Sequence, residues 1–317
     1  MSASLKVFDR APRRCGLEGR VRRETRASAL ILVLWAVMLL SMAILAWAQW
    51  IQHGVTLSGE ASGNADARAM SHSGAAMALN PAVGERSPQL NRQFGTQLGY
   101  RVRMVSEGGK LNLNWLLAGE DPAKLQILKK WLESIGLDFR QRAALVDTLL
   151  DYVDADNVRR LNGLEDEGDY HPANRPLLDL EELRTMRGVE DLVEKPRWRE
   201  ALTLYSAGPI DLLSAPLEIL RLVPGVGDGK WARFASFRAG QDGVLGTRDD
   251  PPFKSLRDIQ LFLGMSDQQF KSLSGLVGMR DPVVRILAEG QAGKVIRQVE
   301  VVARKGGPNA SILSWKE

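Results

Sequence analysis

Positions 29–48 are apolar throughout except for Ser41. As a helix rising about 1.5 Å per residue, this run spans roughly 30 Å, one bilayer core. Polar residues return over 49–79, where Ala, Ser and Gly dominate and the apolar positions keep an irregular helical spacing. That pattern predicts an amphipathic stem continuing the apolar helix, weakened by four glycines. Asn80-Pro81 closes the stem, because proline disfavours helix in the residue before it. Residues 100–105 alternate apolar with basic positions and predict a half-exposed strand, ended by Gly108-Gly109. Helical periodicity takes over at 125–135, 140–153, 179–186, 215–223 and 230–237. Alternating valine and isoleucine at 283–288 and 294–304 predict a hairpin with its turn at 289–293. The order is long helix, strand, helical block, hairpin. It predicts an α+β chain, with a long N-terminal helix packed on an antiparallel sheet and an all-α domain inserted into it.

Charge adds a direction to the apolar helix. Residues 1–27 hold eight basic and three acidic side chains. The positive-inside rule then predicts a cytoplasmic N-terminus and export of everything after about residue 50. A secretory signal peptide competes with this reading, but its apolar core is usually about 7–15 residues and ends in a small-residue cleavage site. Here the run is longer and the stretch after it still reads as helix, which favours a retained anchor. The leader alone is +5, so the remainder of a chain of net charge +4 is close to −1. The sequence pI of 9.2 is therefore a topology signal and gives little support to nucleic-acid binding. The only cysteine, Cys15, sits in the leader, so the exported part relies on a packed core, not on disulfides.

Four motifs follow one another along the chain. They are Arg26-Ala27-Ser28-Ala29-Leu30; Lys110-Leu111-Asn112-Leu113-Asn114; Asp151-Tyr152-Val153-Asp154-Ala155-Asp156, continuing through Asn162-Gly163-Leu164-Glu165 to Tyr170 and Pro176; and Leu180-Glu181-Glu182-Leu183 with Arg187-Gly188-Val189. Together they resemble the minor pseudopilin K family of type II secretion systems. The resemblance implies a pilin-like fold with five parts: a cleaved basic leader (1–27), a transmembrane helix and stem (28–80), two sheet segments (81–109 and 280–317) and the α-helical insert (110–279). It also implies cutting by a prepilin peptidase between Ala27 and Ser28, with methylation. Two departures stand out: Ala27 replaces the family's glycine, and Asp211 and Leu213 replace its usual asparagines. Counted from Ser28, the fifth residue is Leu32, where ordinary pilins carry glutamate. A buried carboxylate in a membrane helix is costly unless paired. A chain without one suits the tip of the filament, with no subunit above it.

Several residue groups are candidates for chemistry. Asp151, Asp154, Asp156, Glu165, Asp166, Glu167 and Asp169 crowd one segment whose only basic residues are Arg159 and Arg160. A solvated acidic loop and a hard-cation site both fit that pattern, since calcium takes about 6–8 oxygen ligands. The resemblance implies calcium, with Asp154, Asp156 and Glu165 as ligands and Asp151 as a structural cap or partner. A second loop, Gly240 to Pro251, places Asp242, Asp249 and Asp250 among glycine turns and resembles short calcium loops of exported bacterial proteins. A plain surface turn is its alternative. Residues 223–230, followed by Ala232 and Arg238, resemble the hairpin of a helix-hairpin-helix, with Lys230 and Arg233 as basic residues nearby. Such hairpins present amides to DNA phosphates, so a membrane-tethered DNA-binding protein of the competence type is the second functional reading. Enzymatic motifs are absent from the sequence: His53 and His72 lie in the stem, His171 has no nucleophile near it, and no P-loop, dinucleotide fingerprint or zinc spacing occurs.

The function expected from the resemblance is that of a minor pseudopilin at the pseudopilus tip, contributing to export of folded proteins across the outer membrane. Its implied partners are minor pseudopilins I and J, then H and the major pseudopilin G, the prepilin peptidase, the inner-membrane secretion platform and the inner membrane itself. Nucleic acid is not expected among them. The implied location is the cell inner membrane, single-pass, with the C-terminal domain in the periplasm.

Overall fold

The computed structural model describes the backbone of residues 18–317 and the side chains of 29–52 and 61–317. The leader, Cys15, His53 and the side chains of Ala27 and Ser28 lie outside those described. The chain divides into two compact units, Met1–Ser62 and Gly63–Glu317. One helix is assigned over Glu18–Leu79.

In the first unit and just beyond its apolar run, Ala29–Gln52 is a 24-residue stretch of mean hydropathy 2.8, long and apolar enough to cross a membrane. All of its described side chains are exposed. Its hydroxyl is satisfied locally, with Ser41 Oγ donating to the Val37 carbonyl at 2.8 Å. A hydroxyl closed onto the preceding turn is compatible with hydrocarbon, because its own donor has a partner.

In the second unit the end of this helix lies on a five-stranded antiparallel sheet. The strands follow the order Asn91–Phe94, Leu98–Ser106, Val283–Ala292, Val295–Arg304, Ser311–Lys316. Ala67, Ser71, Ala75 and Ala78 are fully buried and recur at the spacing of one helix face. Opposite them, Tyr100, Val102, Met104, Ile286, Ala288, Val299 and Val301 fill the inner face of the sheet. Small residues on the helix let its backbone come close. The last turn is closed by Lys305, whose Nζ donates to the carbonyls of Ala78 (2.7 Å) and Val83 (2.6 Å). The helix stops at Leu79, one residue before Asn80-Pro81, as the sequence predicts.

The hairpin differs from its prediction. The stretch 289–293 is not a five-residue turn; the strand continues to Ala292, and Ala292 pairs with Val295 across Gly293-Lys294. Gly293 takes φ 58°, which closes the tight turn. Glycine at 290 misleads sequence reading because it serves close helix approach and not a turn. Two strands also escape the pattern, Asn91–Phe94 and Ser311–Lys316, both at sheet edges where alternation is weak.

Between the second and third strands the chain builds a helical block with its own core. Leu113, Leu116, Ile127, Leu128, Leu132, Leu145, Leu149, Trp231 and Phe234 are almost completely buried there. Helices Pro122–Ser134 and Phe139–Val153 match their predicted periodic segments to within three residues. Asp121 caps the first through Ala123 N (2.9 Å), and Asp138 with Gln141 forms a capping box on the second. The 179–186 segment is a 3₁₀ turn, Leu180–Arg184, and 215–223 shortens to Leu217–Leu220. Helix Leu256–Leu263 was not anticipated, although Ser255 and Asp258 form a capping box at its start.

Two similar segments, Leu111-Asn112-Leu113 and Ile210-Asp211-Leu212, each open a group of helices in the block. Leu111-Asn112 pairs in parallel with Leu202-Thr203, and Ile210-Asp211 pairs in parallel with Val277-Gly278. Asn112 Oδ1 then accepts from Trp115 N (3.1 Å), while Asp211 Oδ1 accepts from Leu213 N (2.9 Å). Each copy thus enters its helices through a two-residue ladder and an Asx cap. Asp211 also accepts from Asp281 N at 3.0 Å, so it holds the exit of the block as well.

Candidate metal centre

Helix Phe139–Val153 ends in the first acidic cluster. Asp151 is fully buried on its last turn and Asp154 is its C-cap. Arg160 returns from the following loop to bind both: its Nη1 donates to Asp151 Oδ1 (2.6 Å) and to Asp154 Oδ2, and its Nη2 to Glu120 Oε1 (2.7 Å). Its backbone N–H also points at the Asp151 carboxylate, 3.2 Å from Oδ2. Gly163 closes the loop, since a Cβ there would lie 1.9 Å from Asp151 Oδ2. Arg159 Nε donates to the Gly163 carbonyl at 2.8 Å.

This internal cation does not satisfy the whole cluster. Asp154 Oδ1, both carboxylate oxygens of Glu165, the Tyr170 hydroxyl and Asn174 Oδ1 are buried without a hydrogen-bond partner. Burial, and then the negative charges of Asp151, Asp154, Asp156 and Asp166, push the Glu165 carboxyl above its ordinary range. Buried oxygens of this kind cost free energy until a cation or donor reaches them. The unpartnered set is all oxygen, the donor type calcium prefers. Asp156 is exposed and its Oδ1 accepts from Val158 N at 2.8 Å. Asp154, Asp156 and Glu165 are not drawn to within 4.8 Å of one another.

The second loop is drawn together. Asp242, Asp249 and Asp250 bring ligand oxygens within 4.8 Å of one another, the one such acidic triplet among the described residues. Gly240, Gly243 and Gly246 all have positive φ, and a Cβ at Gly240 would meet Asp249 Oδ2 at 2.4 Å. Asp249 Oδ2 accepts from the backbone N–H groups of Gln241 (2.6 Å) and Asp242 (3.1 Å), and Asp250 Oδ2 from that of Gly246. The Thr247 hydroxyl, then these amides, hold the Asp249 carboxyl down at about 2. Three carboxylates with no ion pair among the described residues suit a divalent cation, though this site is mostly exposed.

The sequence alone did not reveal Tyr170 and Asn174 as members of the first cluster, nor Arg160 as its counter-cation. Asn174 stands at φ 49°, a left-handed position that asparagine tolerates, and this turns it toward Asn157. The helix-hairpin-helix segment does form, with Gly225 at φ 79° before helix Asp228–Arg238. Its basic residues are exposed, and each touches its own fold: Lys230 Nζ lies 3.4 Å from the Gly264 carbonyl and Arg233 stacks over Phe262.

Comparison with known proteins addresses the same region. Residues 109–195 match the family model described as type II secretion system protein K, and this segment contains the first cluster but not the second. The type II secretion system protein K of Dickeya chrysanthemi is 28% identical over 106 residues. That match covers 33% of this chain and 28% of the relative, well under two thirds of its length. A chain in the crystal structure of the GspK-GspI-GspJ complex from the enterotoxigenic Escherichia coli type 2 secretion system superposes with a TM-score of 0.56. At 14% identity, over 84% of this chain and 96% of that one, it shares the α+β pilin-like fold.

Proposed function

We propose that this chain, a member of the type II secretion protein K family, sits at the pseudopilus tip and contributes to export of folded proteins across the outer membrane. The observation that carries this reading is the protein K segment 109–195, set into a helix-and-sheet scaffold that begins with one apolar anchor. Leu32 supports the tip position, because the anchor offers no carboxylate for a subunit above to neutralise. The second reading, a DNA-binding hairpin, has less support, because the part after the leader is slightly acidic.

The proposed partners are minor pseudopilins I and J, the pair present beside GspK in the homologous complex, and below them H and the major pseudopilin G. Mixed with the I and J proteins of the same system in detergent, the chain is expected to elute as a one-to-one-to-one complex on gel filtration. Separate elution of the three, with salt-sensitive binding of this chain to duplex DNA, overturns the tip reading in favour of the DNA-binding one.

Processing by a prepilin peptidase between Ala27 and Ser28, with methylation, would leave a single-pass inner-membrane protein whose larger part is periplasmic, docked on the secretion platform. Intact mass of the chain purified from cells checks this. A mass corresponding to Met1, or to a start beyond residue 48, removes it.

Calcium is the proposed cofactor and has a structural role. Asp154, Asp156 and Glu165 would hold one ion, and Asp242, Asp249 and Asp250 a second. The ion would supply positive charge to buried oxygens that Arg160 does not reach and would tie down two long loops. Calcium binding only the folded chain is expected to raise its melting temperature, by the equivalent of about 2.7 kcal/mol at a hundredfold excess over Kd. Glu165→Gln gives the sharper test. It removes an uncompensated buried charge, so it should raise the melting temperature in chelator while shrinking the rise produced by calcium. Identical melts in calcium and chelator for the unaltered chain refute the proposal.

A further inference from the structure

A cleft of about 950 Å³ opens between the outer face of strand Leu98–Ser106 and the helical block. Five arginines line it: Arg86, Arg101, Arg103, Arg238 and Arg280. Among the described residues none of the five is in an ion pair, although nine other arginines are. Four carboxylates share the cleft and none is ion-paired to these arginines: Glu85 lies within the field of its neighbour Arg86, and the other three are taken up by backbone amides. Asp211 accepts from Leu213 N and Asp281 N, Asp281 from Ala207 N (2.7 Å) and Val283 N (2.8 Å), and Asp250 from Gly246 N.

Arg238 is the most telling of the five. It is only 5% exposed, its two terminal nitrogens donate to the carbonyls of Leu212 and Ala215, and its Nε has no partner. Ser214 Oγ, on the same wall, is likewise buried without a partner. Burial pulls the Arg238 guanidinium down to about 10, and the charge of Asp211, which makes no ion pair with it, opposes this only in part. An unpaired buried guanidinium is costly unless something anionic completes it. The remaining wall is apolar, with Val105, Leu245, Pro251 and Phe253.

We infer that this cleft is a docking site for an acidic polypeptide segment of a partner, with its carboxylates on the arginines and its apolar residues on the Pro251–Phe253 side. Arginine forks match carboxylates in a bidentate way, and the apolar wall suits alternate side chains of a peptide. A nucleic acid fits less well, because the wall offers no exposed run of stacking rings. The inference does not depend on calcium.

Fluorescence anisotropy of the full chain in detergent tests it, using a labelled peptide that alternates glutamate with proline. Three comparisons decide: the same peptide with glutamine in place of glutamate, a thymidine oligonucleotide of equal length, and charge-reversed chains. Arg101→Glu with Arg103→Glu alters two exposed side chains on the strand face and should leave the core folded. The expected result is binding of the glutamate peptide only, weakened at least about tenfold by that pair of changes. Arg92→Glu with Arg304→Glu, an equal charge change outside the cleft, should leave it unaltered. Arg238→Gln should also weaken it, read alongside a melt that reports its folding. No binding of the glutamate peptide, equal binding of the glutamine peptide, tighter binding of the oligonucleotide, or equal loss in the Arg92 and Arg304 control each overturns the inference.

Discussion

Replacing Gly290 by valine is expected to lift the stem off the sheet and remove most of the protection of the sheet amides from hydrogen exchange. A Cβ at this position would lie 2.1 Å from the Ala67 carbonyl oxygen and 2.2 Å from Ser71 N, both backbone atoms of the helix. No rotamer relieves such a contact, so the whole helix must move. Ala67, Ser71, Ala75 and Ala78 then lose the close approach that small residues permit. The cost should reach at least about 3 kcal/mol, the upper range for overpacking. Protection should fall in Leu98–Ser106 and Val283–Ala292 but persist in Pro122–Ser134 and Phe139–Val153, because the helical block has a separate core. Gly84→Ala is the control: nothing lies within 4 Å of its Cβ, and a change within about 0.5 kcal/mol is expected. Unchanged exchange in the valine variant, or uniform loss across both cores, contradicts this account.

Glu107→Ala should be as damaging by a different route. Glu107 is fully buried where the sheet hands the chain to the helical block. Its carboxylate accepts from Arg285 Nε (2.7 Å) and Nη2 (3.1 Å), from Lys110 Nζ (2.9 Å) and from the Thr203 hydroxyl. Arg285 reaches onward to Glu300 on the next strand. Removing the carboxylate strands the partly buried Lys110 and leaves Arg285 with Glu300 alone, a loss of about 3–5 kcal/mol by the behaviour of broken buried pairs. Burial alone would raise this carboxyl, but the Arg285 hydrogen bond and the charges of Lys110 and Arg285 outweigh it and hold it below 4.5. A carboxyl lowered by folding contributes its stability above its unfolded value and loses it as pH falls through the folded one. The stability gap between the unaltered chain and Glu107→Gln should therefore be widest near neutrality and close in acid. A gap that grows below 4.5 contradicts the assignment.

Much of this molecule was legible in order along the chain. The apolar run 29–48 and Asn80-Pro81 specify a helix apolar enough to cross a membrane and the end of that helix, through local rules of hydropathy and backbone geometry. Helices at 125–135 and 140–153 follow from 3.6-residue periodicity, with Asp121 and Asp138 as caps at their starts. These features depend on neighbours within a few residues, so sequence alone determines them. The edge strands Asn91–Phe94 and Ser311–Lys316, and the extension of the third strand through Gly290, follow from pairing with distant segments and could not be read locally. The same holds for the acidic residues. Sequence supplied the carboxylates at 151–169 and 242–250, but not which of them are answered. Only folding carries Arg160 back to Asp151 and Asp154 while leaving Glu165 without a donor, gathers Asp242, Asp249 and Asp250 on glycine turns, and buries Arg238 without an ion pair. Electrostatic pairing is a matter of distance in space, and that distance is fixed by the packing of two cores from segments as much as two hundred residues apart, as between Lys305 and Ala78.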